Sequence, residues 1–244
     1  VNAVVSAQPA AWGSPRRDLF ELALGYALIL SVIWTERPAQ RILYCITVVT
    51  LVAVTLLRRD SLKTLGLGGE GFLRSLWVPA LAAALAGVAM FAAWRLHTLH
   101  LHFGRPVFHF GLNFRFTGYA IWAMLQQFLL QDYFLLRLLR LVNRRWLAAV
   151  LATGLFTLAH LPNPLLVALT LVWGLVACVL FLRYRNLYTL GVAHAILGIA
   201  VALTAPNHIQ RHMRVGIGYL HYHAGVRRPS SGVRGNASSL RPSG

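Results

Sequence analysis

Apolar residues run along this chain in long blocks, each closed by Arg, Pro, Gly or Asn. Seven blocks stand out: Leu19 to Trp34, Ile42 to Leu57, Leu76 to Trp94, Tyr119 to Leu136, Trp146 to Leu161, Leu165 to Leu182 and Leu187 to Ala205. Several lie near the short end of the roughly 17 to 25 residues that cross bilayer hydrocarbon. The pattern therefore predicts an all-α, polytopic transmembrane bundle of about seven helices, with six to eight as the range. Arg16 and Arg17 precede the first block and no small-residue cleavage pattern accompanies it, so it is expected to be a retained helix.

Composition supports the same class. Hydrophobic residues make up 57% of the 244 positions and charged ones only 12%, with a mean hydropathy of +0.61, well beyond an average globular domain. The net charge of +17 raises the idea of a nucleic-acid partner. However, Lys and Arg fall at segment ends and in short connections, with no basic domain interleaved with aromatics. Membrane lipids, not nucleic acid, are the expected partners. With seven spans, the connections on the N-terminal side hold twelve Lys and Arg against seven on the other, the distal tail apart. That places the N-terminus in the cytoplasm, with a bacterial inner membrane as the expected location.

Between the blocks the chain offers little chemistry. Residues 1–17 read as a flexible lead, and Leu65 to Gly71 as a Gly-rich connection. The 95–118 loop carries His97, His100, His102 and His109, whose spacing fits no compact ligand motif, so they read as interfacial histidines. Cys45 and Cys178 lie inside apolar blocks without a partner motif and read as small packing residues. Beyond Arg227 the chain is rich in Ser, Gly, Pro and Arg and is expected to be disordered.

The informative residues are the polar ones within the apolar blocks: Gln126, Gln127, Gln131 and Asp132 in one, His160 in the next, His194 in a third. Hydrocarbon cannot hydrogen-bond an amide or imidazole, so these groups are expected to face one interior cavity. At 100° per residue Gln127 and Gln131 share a face, Gln126 shares a stripe with Tyr119 and Tyr133, and Asp132 falls roughly 140° from Gln127, toward a neighbouring helix. Phe156 and His160 share a face one turn apart. Gly191, His194, Gly198 and Ala202 form a small-residue stripe that allows close helix approach.

These strings resemble the CPBP intramembrane proteases, which include the type II CAAX prenyl endopeptidases and the lysostaphin-resistance and bacteriocin-processing proteins. The family signature is E-E-x-x-x-R, then F-x-x-x-H, then H-x-x-x-N or H-x-x-x-D two helices later. Here the counterparts are Gln126-Gln127-x-x-x-Gln131, Phe156-x-x-x-His160 followed by Leu-Pro-Asn-Pro, and His194-x-x-x-Gly198. The resemblance divides the chain into N-terminal helices and loop at 18–116, a CPBP-like core at 117–205 and a basic, largely disordered tail at 206–244. It implies catalytic positions at Gln126, Gln127, Gln131, His160 and His194, with Phe156 and Gly198 at the substrate cavity. It also implies either a divalent metal such as zinc, with His160 and His194 as candidate ligands, or no metal.

The chemistry of the departures leaves the function open. A Gln amide orients water but takes no proton, Gln131 lacks the fixed charge of Arg, and Gly198 has no side-chain donor for an oxyanion. Two readings follow: an endopeptidase acting on membrane-associated or prenylated proteins with His160 or His194 as base, or a catalytically silent relative that binds a membrane peptide or lipidated partner in the same cavity. A transporter is a third. Gln126 and His160 sit nearer the face of the 95–118 loop. Prenyl-protein processing needs that face to be cytoplasmic, and the charge count places it opposite.

Overall fold

The computed structural model describes residues 14–99 and 114–222, and the regular structure among them is helical throughout. The expected lead up to residue 13, three of the loop histidines (His100, His102 and His109) and the chain beyond residue 222 lie outside the described residues. The helices are α1 (Pro15–Trp34), α2 (Ala39–Leu57), α3 (Phe72–Ser75), α4 (Trp77–Arg95), α5 (Phe114–Phe128), α6 (Leu136–Leu141), α7 (Arg145–Leu158), α8 (Pro164–Tyr184), α9 (Leu187–Thr204), α10 (Asn207–Gln210) and α11 (Gly216–Leu220). A π-helical segment, Leu129–Leu135, joins α5 to α6. Each of the seven apolar blocks is thus largely helical.

Local chemistry sets their ends. Ser14 caps α1, its Oγ accepting from the Arg17 amide, with Pro15 in the first turn. Asn163 and Asn186 cap α8 and α9 by accepting from Leu166 and Thr189 amides at 3.2 and 3.0 Å. Four helical stretches are long and apolar enough to cross a membrane, namely α2, α3 with α4, α8 and α9. The helix α7 ends at Leu158, three residues before the expected boundary, and is shorter than a normal span. Its remaining residues form the turn that presents His160.

Helix contact is made by small residues, as expected where lipid offers no hydrophobic drive for association. Ala148, Ala149 and Ala152 of α7 are buried together with Ala177 and Cys178 of α8, and Thr153 reaches the Cys178 sulfur at 3.8 Å. Cys45, by contrast, is exposed on α2. The helix α9 packs between α4 and α5, with Ala193 fully buried.

Two ends of the bundle can be told apart by their contacts. At one end, which we call the basic end, α1 and the α2–α3 connection meet α6 through buried ion pairs. Arg58 binds Asp18 at 2.6 Å and Glu21 at 2.8 Å, and Arg137 binds Glu21 at 2.9 Å while stacking over Tyr133. Burial pulls the Arg58 pKa down, but its hydrogen bond to Glu21 and the charges of Asp18 and Glu21 outweigh that and hold it above its usual value. At the other, histidine end, the segment after α9 is folded instead of beginning a disordered tail. Gly216 donates to the Leu161 carbonyl at 2.8 Å, and the Asn163 amide donates to the carbonyls of Gln210 and Arg214.

Candidate functional site

The π segment decides which polar residues of the fourth crossing face inward together. Its wider turn carries an extra residue, so the 3.6-residue stripe read from the sequence holds before it and fails within it. Tyr119 and Gln126, both in α5, line the same cavity. Tyr133 is turned away and donates to the Glu21 carbonyl of α1 at 2.6 Å. Asp132 is buried, and neither carboxylate oxygen has a hydrogen-bond partner among the described residues.

Three helices bring the remaining polar groups together. Gln127 Nε2 lies 2.8 Å from His194 Nδ1, and Gln131 Nε2 donates to Gln127 Oε1 at 3.0 Å. Gln126 Nε2 lies 3.4 Å from His160 Nε2, and His160 Nδ1 lies 2.7 Å from the Phe156 carbonyl. Phe156 sits between the imidazoles, with ring centroids 4.8 Å from His160 and 6.3 Å from His194. Trp173 flanks His194 on the other side at 6.0 Å.

These contacts set different proton positions on the two rings. A carbonyl only accepts, so His160 donates from Nδ1, and its neutral form keeps a lone pair on Nε2. Gln127 has its oxygen engaged by Gln131 and donates its amide hydrogen to His194 Nδ1. Neutral His194 therefore carries its proton on Nε2. One imidazole presents an acceptor and the other a donor.

A cavity of about 660 Å³ runs through the bundle between α4 and α8 and over α9. Gln126, His160, His194, Gly198 and Tyr119 lie on its wall. Gln127 and Gln131 do not: both are fully buried behind His194, as supports. Phe156 lines a second, smaller cavity of about 110 Å³ instead, which shares Gln126, His160, Trp122 and Val215 with the first. The apolar wall of the large cavity includes Leu81 and Leu85 of α4 and Val172 and Val176 of α8, side chains exposed on the outside of the bundle. It is open toward lipid.

Tyr119 is the residue that motif reading did not place in the site. A Cβ on Gly198 would collide with the Tyr119 hydroxyl and with the ring atoms next to it. The tyrosine therefore occupies the space that a side chain at position 198 would fill. Among the described residues its hydroxyl has no hydrogen-bond partner, and it borders the cavity that holds both histidines. Its place on the Gln126 stripe was the available signal.

The donor set does not suit zinc. Among the described residues no group of three or more His, Cys, Asp or Glu is placed to hold a metal ion. With Nδ1 of His160 and of His194 held by Phe156 and Gln127, each ring offers only Nε2, and the nearest other donors are neutral amides, whereas zinc sites complete their set with thiolate, imidazole or carboxylate. His160 and His194 thus share a cavity without forming a ligand set.

The family model described as "Type II CAAX prenyl endopeptidase Rce1-like" matches residues 116–200, about a third of the chain. No curated protein and no solved structure matches it. The match runs from the N-terminal half of α5 through most of α9 and takes in every residue of the constellation just described. Over this core the chain is similar to the type II CAAX prenyl endopeptidases, with its counterparts of the first and third motifs altered.

Proposed function

We propose that this protein is an intramembrane endopeptidase that hydrolyses a peptide bond of a membrane-embedded segment, with His160 as the base and His194 as an oxyanion donor. The observation that carries the reading is the complementary protonation of the two rings. His160 is fixed to accept at Nε2 by the Phe156 carbonyl, and His194 to donate at Nε2 by Gln127. Gln126 approaches His160 Nε2 only at 3.4 Å, near the outer limit of a hydrogen bond, and is displaced easily by a water that the same amide helps to orient.

In this scheme His160 Nε2 takes a proton from water as its oxygen attacks the carbonyl carbon. The oxyanion formed accepts from His194 Nε2–H and from the Tyr119 hydroxyl, which stands in for the amide absent at Gly198. As the C–N bond breaks, His160 returns the proton to the leaving amine, giving a carboxylic acid and an amine. The cavity volume lies within the range of sites that enclose an extended ligand. Its apolar, lipid-facing wall favours a substrate that arrives from within the bilayer.

One observation favours the silent reading. Gln126 and Gln127 supply no carboxylate, so everything rests on imidazoles. Purified protein in liposomes, incubated with membrane-spanning peptides and followed by mass spectrometry, separates the two. Cleavage lost on His160→Ala and on His194→Ala supports the enzyme, whereas retained peptide binding without cleavage in the wild type supports a binding protein.

A further inference from the structure

The smaller cavity takes no part in the chemistry proposed above, although it adjoins the same base. Its walls come from α1 and α2, through Ile29, Val32, Val48 and Leu51, and from Leu125 and Phe134 across from them. Neither α1 nor α2 contributes to the large cavity. The two chambers therefore lie on either side of a partition made of the residues common to both, Trp122, Gln126, His160 and Val215. The base stands where one chamber meets the other.

The chambers select differently. The large one is bounded by side chains of α4 and α8 that face lipid, so it rewards apolar character and sets no limit on size. The small one is bounded on both sides. Leu51, Phe134 and Phe156 are buried at its inner wall, while Tyr44 and Trp122, exposed on the outside of the bundle with ring centroids 5.7 Å apart, stand between it and lipid. Beyond the partition, Tyr44 and Thr47 are its only polar side chains among the described residues, so a charged group placed there would be stranded. Its volume of about 110 Å³ falls below the about 150 Å³ of an apolar cavity that takes up benzene. A branched aliphatic side chain fits, and an aromatic ring does not.

We propose that the small cavity is the specificity pocket of the site and takes the Val, Leu or Ile side chain of a residue flanking the scissile bond, while the rest of the substrate lies in the large cavity. When a peptide carbonyl carbon stands beside a water at His160 Nε2, the side chain next to it is held at the partition and has the small cavity within reach. The pocket's link to cleavage rests on the endopeptidase reading, whereas its occupancy by an aliphatic side chain does not.

An alanine-rich membrane-spanning peptide with a single photo-leucine, moved one position at a time, tests this in liposomes, with cross-links mapped by mass spectrometry. One position is expected to cross-link to the α1 and α2 residues of the small cavity. Val48→Phe, which fills the cavity, should lower that yield by about 10-fold or more. The bond cut by the wild type should adjoin that position, and Leu there should be cut at least about 10-fold faster than Ala or Phe. Val48→Phe should erase the advantage of Leu over Ala. Val48→Ala, which only removes carbon and so carries the test should Val48→Phe not fold, should admit Phe. Cross-links confined to α4, α8 and α9, no cross-link at all, a yield and a preference untouched by either variant, or equal cutting of the Leu, Ala and Phe peptides overturns the pocket and leaves any cleavage standing. Cross-links at the small cavity that Val48→Phe abolishes, in a protein that cuts nothing, keep the pocket and refute the enzyme.

Discussion

Gly198→Ala sets two effects of opposite sign against each other. Replacing a helical glycine by alanine ordinarily stabilises by about 0.5–1 kcal/mol, through backbone entropy. At this position the new methyl meets the Tyr119 hydroxyl, Cζ and Cε1 together, all too close for contact. The ring cannot yield by rotating about its own axis, because the collision is at its tip, so α5 and α9 must separate or Tyr119 must leave its rotamer. Overpacking of this kind costs about 1–3 kcal/mol. The clash wins, and Gly198→Ala is expected to be net destabilising by about 1 kcal/mol. Tyr119→Ala removes the obstacle, so the double variant should recover, giving a coupling of about 1–2 kcal/mol in a double-mutant cycle. Reversible unfolding in mixed micelles measures all four proteins. A stabilising Gly198→Ala, or effects that add without coupling, would refute the claim that Tyr119 fills the place of a residue 198 side chain.

Tyr119→Phe keeps the ring and removes the proposed donor, so cleavage should fall by about 10²–10³-fold with little change in stability, read as initial rates beside a thermal melt. In Gln131→Glu the carboxylate can only accept, which turns Gln127 so that its oxygen faces His194 and moves the proton to Nδ1; ¹⁵N imidazole shifts should report the exchange, and an unchanged tautomer would show that Gln131 does not set it. Glu21→Leu leaves buried Arg137 without its carboxylate and Arg58 with Asp18 alone, and should cost about 3–5 kcal/mol by the same unfolding assay, while Lys63→Ala at the exposed Lys63–Glu70 pair should cost little. Chelation with EDTA should leave the cleavage rate unchanged, because among the described residues no ligand set surrounds the imidazoles; a loss restored by zinc would contradict the donor chemistry.

The crossings were legible because an apolar block bounded by Arg, Pro or Asn admits few other structures in lipid. The meeting of His160 and His194 at one cavity followed from the cost of leaving polar groups isolated there, whereas Gln127, expected on the same wall, stands behind His194. Three features were not legible. The π segment breaks the period on which facing was judged, so Tyr133, expected on the Gln126 stripe, is turned to the Glu21 carbonyl instead. The Asp18–Glu21–Arg58–Arg137 cluster joins residues far apart in sequence, and only the scarcity of acidic residues, six in the chain, hinted at it. Asn163 was read as part of a family string, whereas its side chain caps α8 and ties the 210–214 segment to the histidine end, a role that no spacing specifies. That segment, expected to begin a loose tail, is folded because those bonds give it a place to dock.

The central claim is that two oppositely protonated imidazoles at one cavity hydrolyse a peptide bond without help from a carboxylate. The most direct measurement is time-resolved mass spectrometry of membrane-spanning peptides reconstituted with the wild type, His160→Ala and His194→Ala. The account predicts one defined pair of new termini from the wild type, lost in His160→Ala and strongly reduced in His194→Ala. Cleavage that persists in both variants, or none from a folded wild type, would contradict it.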